Sequence, residues 1–285
     1  MTFVYRNFDQ QALDVQYNAQ ATVGDITPFI NEYRDQSALS RNTLEYHDSL
    51  AFGPAPEETL DLFPAGENAP LLIFIHGGYW RMLSKNESSF MAQNFVANGV
   101  AVAAVNYTLC PEATIDQIAG EIRRSIAWLY QNCQEFDCDP DRIFISGSSA
   151  GSHLAGMMLN GGWHQSLRLP EDVLKGGMLL SGLYDLAPVA LSFANEWLNL
   201  DLAAAERNSP IHFLPKNACP IIVSYGGSET AEFKRQSKDY AEKWQAAGFV
   251  AEYFELTERN HFDIPLELSK PNSLLTEKML RLIGH

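Results

Sequence analysis

Short apolar stretches follow one another along the chain from residue 71 onward. They hold few polar residues and cover 71–75 (LLIFI), 100–107 (VAVAAVNY), 142–146 (RIFIS), 176–181 (GGMLLS), 220–225 (PIIVSY) and 250–256 (VAEYFEL). A strand with one exposed face alternates between apolar and polar residues, whereas a strand buried on both faces is apolar throughout. Most of these stretches are of the second kind. The pattern therefore predicts a parallel sheet covered by helices on both sides.

Amphipathic segments lie between the apolar stretches. Residues 86–99 and 229–248 have helical patterns that end on a glycine, a common helix stop. Residues 114–132 place their isoleucines on one stripe, and Thr114 is the predicted N-cap. Strands that alternate with helices in this way predict an α/β fold, with a doubly wound, mostly parallel sheet and helices on both faces.

Other segments depart from this alternation. Residues 9–40 carry apolar residues at helical spacing and predict an N-terminal helical arm. Residues 43–53 and 59–66 alternate in polarity, which is typical of paired, half-exposed strands. Residues 185–214, rich in Leu, Ala and Asn, predict a small cap or excursion from the sheet. We expect one domain over residues 1–285, a length that can bury a single large core.

Composition and charge argue against some classes of binding partner. The formal net charge of −15 argues against a nucleic-acid surface and against docking on an anionic membrane. The four cysteines show no C-x-x-C pairing, and the first ten residues lack the regions of a secretion signal. We therefore expect a cytoplasmic protein. We also expect a small-molecule substrate and no metal or cofactor, on the grounds of the motifs and the resemblance given below. A homodimer remains compatible with the sequence.

The segment FISGSSAGSH, residues 144–153, contains the pattern Gly147-Ser148-Ser149-Ala150-Gly151. A G-x-S-x-G between a strand and a helix predicts a nucleophile elbow, a sharp turn that exposes the central serine. Ser149 holds that centre, so Ser148 is the weaker candidate. Alternatively, the segment is a small-residue turn before a helix.

A serine nucleophile needs donors for the oxyanion and a base. His76-Gly-Gly-Tyr-Trp80 follows the strand at 71–75, where a loop of this fold supplies such donors. We predict the amides of Gly78, Tyr79 and Ala150. Tyr79 and Trp80 are also predicted to stack on an aromatic leaving group, although Trp80 fits core packing equally well.

His261 follows the last predicted strand, where the base belongs in the order serine, acid, histidine. His153, four residues after Ser149, is interpreted as a structural helix residue. The predicted acid is Glu229, which follows the strand at 220–225. Asp185 is the alternative, and Glu232 is a weaker third candidate.

These motifs resemble those of α/β-hydrolases of the kynurenine formamidase (arylformamidase) and esterase-lipase group. The resemblance rests on HGGYW (76–80), NYTLCPE (106–112), GSSAGSHL (147–154), SGLYDL (181–186), GGSETAEFKRQS (226–237) and NHFDI (260–264). The elbow of that group commonly has His where this chain has Ser148, and its acid is usually Asp where this chain has Glu229.

The resemblance implies a serine hydrolase without a metal. Its nucleophile would be Ser149, its acid Glu229 and its base His261. It would cleave small acyl amides or esters, formyl or acetyl, with an aromatic leaving group through an acyl-enzyme. The alternatives are a general short-chain carboxylesterase and a ligand-binding protein of the same fold that does not turn substrate over.

Overall fold

The computed structural model of the protein describes residues 2–284, and a single sheet of eight strands organises them. The strands are β1 (His47–Ala51), β2 (Thr59–Phe63), β3 (Ala69–Ile75), β4 (Ala101–Val105), β5 (Cys138–Ser148), β6 (Leu174–Leu180), β7 (Ile221–Gly226) and β8 (Ala251–Leu256). Their order is β1-β2-β4-β3-β5-β6-β7-β8. β1 pairs antiparallel with β2 and β2 with β4, while the other neighbours are parallel. The predicted sheet is confirmed.

Ten α-helices within residues 2–284 surround the sheet. They are α1 (Gln10–Tyr17), α2 (Thr27–Thr43), α3 (Ala92–Ala97), α4 (Ile115–Asn132), α5 (Ala150–Leu159), α6 (Ala187–Ala190), α7 (Asn195–Leu198), α8 (Leu202–Arg207), α9 (Ala231–Ala246) and α10 (Leu274–Ile283). Short 3-10 helices cover Ala19–Thr22, Lys85–Glu87, Cys133–Phe136, His164–Leu167, Pro210–His212 and Pro265–Ser269. None of the described helices is both long and apolar enough to cross a membrane.

Two apolar clusters lie on opposite faces of the sheet. Leu71, Ile73 and Ile75 of β3 belong to the cluster that contains α1, α4, α5 and α9, while Leu72 and Phe74 belong to the cluster of α2, α3 and α10. All five side chains are at most 1% exposed. Because successive side chains of a strand point to opposite faces, a strand covered on both sides must be apolar throughout.

One predicted helix is shorter in the structure. The pattern at 86–99 predicted a continuous helix, but only Ala92–Ala97 is α-helical. Upstream of it, the amide of Ser89 donates to the hydroxyl of Ser37, and the amide of Lys85 donates to Asn106 Oδ1. These bonds to other parts of the chain replace the helical ones, and a 3-10 turn forms instead.

The segment predicted as a helical arm contains α1 and α2, one over each face of the sheet. Tyr17 at the end of α1 packs on Phe233 of α9, and its hydroxyl donates to Glu232 at 2.9 Å. In α2, the Tyr33 ring stacks on Phe90 with 5.3 Å between centroids. We call residues 10–43 the N-terminal arm.

The segment 185–214 contains α6, α7, α8 and one 3-10 turn, and we call it the cap. Its helices are four to six residues long. Asp201 caps α8 through its side chain, which accepts from the amide of Ala204 at 2.6 Å. The cap is tied to the arm by the Phe193 amide, which donates to Asp14 at 2.7 Å.

Candidate active site

The turn that carries Ser149 is a single residue long. β5 ends at Ser148 and α5 begins at Ala150. Ser149 has φ 56° and ψ −117°, a strained conformation for a residue with a side chain. Its amide donates to the carbonyl oxygen of Leu180 at 2.8 Å, which anchors the turn to β6. Ser149 lies on the wall of the cavity described below.

The glycines of the G-x-S-x-G pattern are required by close backbone contacts. A Cβ atom at Gly147 would lie 2.4 Å from the carbonyl oxygen of Gly151, and one at Gly151 would lie 2.0 Å from that of Ile75. Both distances are far below contact distance, so only glycine fits at these two positions. This contact explains why the elbow needs small neighbours.

His261 and Glu229 form a buried pair. Glu229 Oε2 accepts from His261 Nδ1–H at 2.8 Å, and the two side chains are 1% and 6% exposed, respectively. Glu229 Oε1 accepts from the Ser181 hydroxyl and the Gly226 amide, both at 2.6 Å. With Nδ1 occupied in this way, Nε2 of His261 remains available to accept a proton.

The other two candidate acids lie elsewhere. Asp185 Oδ1 accepts from the Ala187 amide at 3.0 Å, in the turn that leads into α6. Glu232 accepts from the hydroxyl of Tyr17 and pairs with Arg235 at 2.7 Å. Of the three predicted acids, Glu229 is the one whose carboxylate contacts the histidine.

The amides predicted for the oxyanion hole come from two loops. Gly78 and Tyr79 have φ 96° and 53°, and a Cβ atom at Gly78 would lie 2.1 Å from the carbonyl oxygen of Met82. Ala150 is the first residue of α5, where the helix dipole favours negative charge. Within residues 2–284 none of these three amides donates a hydrogen bond to the protein. Gly78 and Tyr79 line the cavity described below, and the assignment of all three amides to an oxyanion hole stays a prediction.

Two other histidines near the elbow are structural. His76 Nδ1–H donates to the Gly77 carbonyl at 2.9 Å, and its ring stacks on Tyr107 with 4.1 Å between centroids. His153 Nε2–H donates to the Asn208 carbonyl at 2.7 Å. Burial lowers the pKa of both imidazoles to about 4, so they are neutral at pH 7.

A cavity of about 160 Å³ opens onto Ser149 and His261. The oxyanion loop lies on its wall through Gly77, Gly78 and Tyr79. Aromatic side chains make up much of the rest: Tyr33, Phe74, Tyr79, Phe90, Phe193, Trp197 and Phe262. The serine, the histidine and the free amides of the oxyanion loop therefore meet at one apolar, aromatic cavity.

Trp80 does not line this cavity, and the prediction that it contacts substrate is not supported. Its side chain is fully buried, and its ring meets the His153 ring edge-on with 5.0 Å between centroids. φ at Trp80 is 56°, so the chain turns back into the protein after Tyr79. Trp80 packs in the core, as its alternative interpretation expected, whereas Tyr79 lines the cavity. The stacking of Tyr79 on a leaving group stays a prediction.

The sequence pattern did not point to the arm as part of the site. The arm lines the cavity through Asn18, Ala19, Gln20, Ile26, Ile30 and Tyr33, and the cap through Phe193 and Trp197. A signal existed for the cap, because SFANEWL places two aromatic residues in a segment outside the sheet. For the arm, the apolar spacing of a helix gave no indication of which side faces the site.

The arm is joined to all three loops of the site. The hydrogen bonds run from the Tyr79 hydroxyl to the Tyr17 carbonyl, from the Tyr33 hydroxyl to the Phe262 carbonyl, and from the Thr230 hydroxyl to the Gln16 carbonyl. Phe262 and Thr230 are the residues next to His261 and Glu229. The arm therefore contacts the oxyanion loop, the histidine loop and the acid loop together.

Among residues 2–284, no three His, Cys, Asp or Glu side chains come together in a way that could hold a metal ion. The four cysteines are free, and burial raises the pKa of each thiol to between about 11 and about 12. They are protonated and unreactive at pH 7.

Comparison with known proteins agrees with this geometry. The chain is 31% identical to the kynurenine formamidase of Danio rerio over 98% of each chain. It is 33% identical to that of Salmo salar over 97% of this chain and 95% of the relative. The chain belongs to the kynurenine formamidase family. Like other members of this α/β-hydrolase group, it is a serine hydrolase.

A family model and a solved structure support the same assignment. The BD-FAE model matches residues 60–171, from β2 past the elbow. A Silicibacter sp. TM1040 crystal structure titled "putative thioesterase" is 30% identical and superposes with a TM-score of 0.82, covering 93% of this chain and 97% of its own. The expected fold and the expected enzyme class are confirmed.

Proposed function

We propose that this member of the kynurenine formamidase family hydrolyses aryl formamides, with N-formylkynurenine as the physiological type of substrate. Family membership supports the reaction, and the aromatic cavity at Ser149 supports the substrate class. An aryl ring packs well against aromatic side chains in offset or edge-on geometry. Short acyl esters with an aromatic leaving group fit the same site.

In the proposed mechanism, Ser149 Oγ attacks the formyl carbon while His261 Nε2 takes the hydroxyl proton. The negative charge that develops on the formyl oxygen is held by the amides of Gly78, Tyr79 and Ala150. Glu229 stabilises the imidazolium through the 2.8 Å bond to Nδ1.

The tetrahedral intermediate then collapses. The C–N bond breaks, His261 returns its proton to the leaving aryl amine, and a formyl ester on Ser149 remains. Water attacks this ester with His261 again acting as base, and formate leaves. The imidazole that protonates the amine is thus regenerated as the base for the second half of the reaction.

The single observation that carries the substrate class is the size and lining of the cavity. Its volume of about 160 Å³ is close to the ~150 Å³ of an engineered cavity that takes up benzene. A ring and a one-carbon acyl group fit such a space more readily than a long acyl chain. We therefore expect a preference for small acyl groups.

A substrate panel tests the proposal. We expect kcat/KM on a fixed aryl leaving group to be highest for formyl and acetyl and to fall with each added methylene. Each misfitted methylene should cost ~1–3 kcal/mol of transition-state binding, or roughly 10- to 200-fold. N-Formylkynurenine should be cleaved at the amide. A maximum at butyryl or longer esters, with no formamide cleavage, would instead identify a carboxylesterase.

A further inference from the structure

Two ionisable side chains of opposite charge line the cavity without an ion-pair partner. Arg81 and Glu87 both lie on its wall, and within residues 2–284 neither has an oppositely charged group within 4.0 Å. Arg81 is exposed and Glu87 is half-buried, so a ligand can reach both groups, and water screens an ionic contact at Arg81 more than one at Glu87. A ligand with both a negative and a positive group could therefore pair with Arg81 and Glu87, respectively.

The Arg81 guanidinium is held close to the oxyanion loop. It stacks on the Trp197 ring, with 3.8 Å from Cζ to the ring centroid. Trp197 Nε1–H donates to the Tyr79 carbonyl at 3.0 Å, and the Arg81 amide donates to the Gly78 carbonyl at 3.0 Å. Stacking occupies the face of the guanidinium and leaves its in-plane N–H groups for a carboxylate.

Glu87 is fixed from the other end of the same loop. One of its carboxylate oxygens, Oε2, accepts from the Ser84 hydroxyl at 2.9 Å, and Ser84 also caps the short helix Lys85–Glu87. Within the described residues Oε1 has no hydrogen-bond donor. The side chain is half-buried, so this oxygen is positioned rather than freely rotating in solvent.

We propose that Arg81 and Glu87 recognise the carboxylate and the ammonium of an α-amino acid attached to the aryl formamide. This inference rests on the proposed function and adds the part of the substrate that lies away from the scissile bond. Arg81 donates to the carboxylate, and Glu87 Oε1 accepts from the ammonium. Both are specificity-determining residues and take no part in bond breaking.

The experiment compares two formamides that share the reacting ring. N-Formylkynurenine carries the amino acid, and 2-formamidoacetophenone has the same aryl ketone without it. The readout is the ratio of kcat/KM for the first substrate to that for the second. In Arg81→Gln we expect this ratio to fall about 2- to 10-fold, because water partly screens a contact with an exposed guanidinium. Glu87→Gln should lower it as well, mainly through KM.

A matched control comes from the arm. Arg34 is exposed, lies in α2 and does not line the cavity, so Arg34→Gln should keep the wild-type ratio. Analogues of N-formylkynurenine that lack only the ammonium or only the carboxylate separate the two contacts. Arg81→Gln should remove the advantage of the carboxylate, and Glu87→Gln that of the ammonium.

The outcomes distinguish this inference from the proposed function. If the wild-type protein cleaves both formamides and the ratio is unchanged in Arg81→Gln and Glu87→Gln, the recognition of an amino acid is wrong and the formamidase activity stands. The same holds if both variants lose activity equally on the two substrates. If the wild-type protein cleaves neither formamide, both the proposed function and this inference fail.

Discussion

The two carboxylate oxygens of Glu229 have different hydrogen-bond partners. Its Oε1 accepts two hydrogen bonds, from Ser181 and from the Gly226 amide, which fix the carboxylate at the end of β7. Its Oε2 is left for His261 Nδ1–H. Because Glu is one methylene longer than the Asp that is usual in this group, these anchors are what hold the longer side chain in one place.

Glu229→Gln should keep the fold and lower kcat by about 10³- to 10⁴-fold. An amide can still accept from Ser181 and Gly226, but its NH₂ group cannot accept the proton of Nδ1, so the imidazole loses its orientation and its charge stabilisation. The measurement is kcat with the best aryl formamide, alongside Tm. Asp185→Asn is the control and should be much milder. The reverse ranking would assign the acid to Asp185.

Ser149→Ala should lower kcat by on the order of 10⁴-fold or more, because it removes the covalent route. Ser148→Ala is the neighbouring control, since it also deletes a hydroxyl from the cavity wall but leaves the nucleophile. A fluorophosphonate probe should label the wild-type protein and Ser148→Ala, and should not label Ser149→Ala. Similar losses of activity in both variants would contradict the elbow assignment.

The arm is the element that relates the separate loops of the site to one another. The oxyanion, acid and histidine loops each follow a different strand, so their positions depend on more than the sheet. The hydrogen bonds from Tyr79, Thr230 and Tyr33 fasten all three loops to residues 10–43. Misplacement of a catalytic group by about 1 Å can cost 10²-fold in rate, so such fastening matters for turnover.

Tyr79→Phe and Tyr33→Phe should therefore each lower kcat several-fold, up to about 10-fold, with a smaller change in KM. A hydrogen bond contributes ~0.5–1.5 kcal/mol net, and 1.36 kcal/mol corresponds to a factor of ten in rate. Tyr253→Phe is the control, because Tyr253 lies on the outer strand β8 and its hydroxyl donates to Glu242 of α9, and neither residue lines the cavity. If both test variants keep the wild-type kcat, the arm forms a wall of the cavity but its hydrogen bonds do not position the catalytic loops.

At the scale of the whole molecule, the burial of titratable side chains determines how the stability of the fold depends on pH. His76 and His153 have pKa values lowered to about 4 by burial, against an ordinary value of 6.5. The unfolded chain therefore binds protons that the folded protein excludes, and stability falls as pH drops from about 6.5 towards 4. Burial raises the pKa of Asp263 and Glu121, and these carboxyls act in the opposite direction.

We expect each of the two buried histidines to remove about 2 kcal/mol of the free energy of unfolding between pH 7 and pH 5. The test is urea denaturation at both pH values for the wild-type protein and His153→Gln. The variant should be less stable at pH 7 but should lose about 2 kcal/mol less on acidification. His212→Gln, at an exposed position, should behave like wild type. An equal pH dependence in His153→Gln would mean that His153 is protonated in the folded protein.

Local sequence determined the strands, the elbow and the order of the catalytic groups. β3 is apolar throughout because both of its faces are covered, and Gly147 and Gly151 are small because the backbones touch there. Thr114 and Gln117 form the capping box that starts α4, a signal that lies within four residues. Each of these features leaves a short, recognisable pattern in the chain, even where the contact that requires it is distant, and so it can be predicted from the chain alone.

The tertiary structure alone decided which distant groups meet. Glu229, Asp185 and Glu232 all occupy positions in the sequence where the acid could lie. Only the packing of the loops after β7 and β8 brings Glu229 to His261. Likewise, Tyr79 lines the cavity while the adjacent Trp80 packs on His153. Contacts between residues far apart in the chain depend on how helices and strands pack in three dimensions, and hydrophobic periodicity carries no information about them.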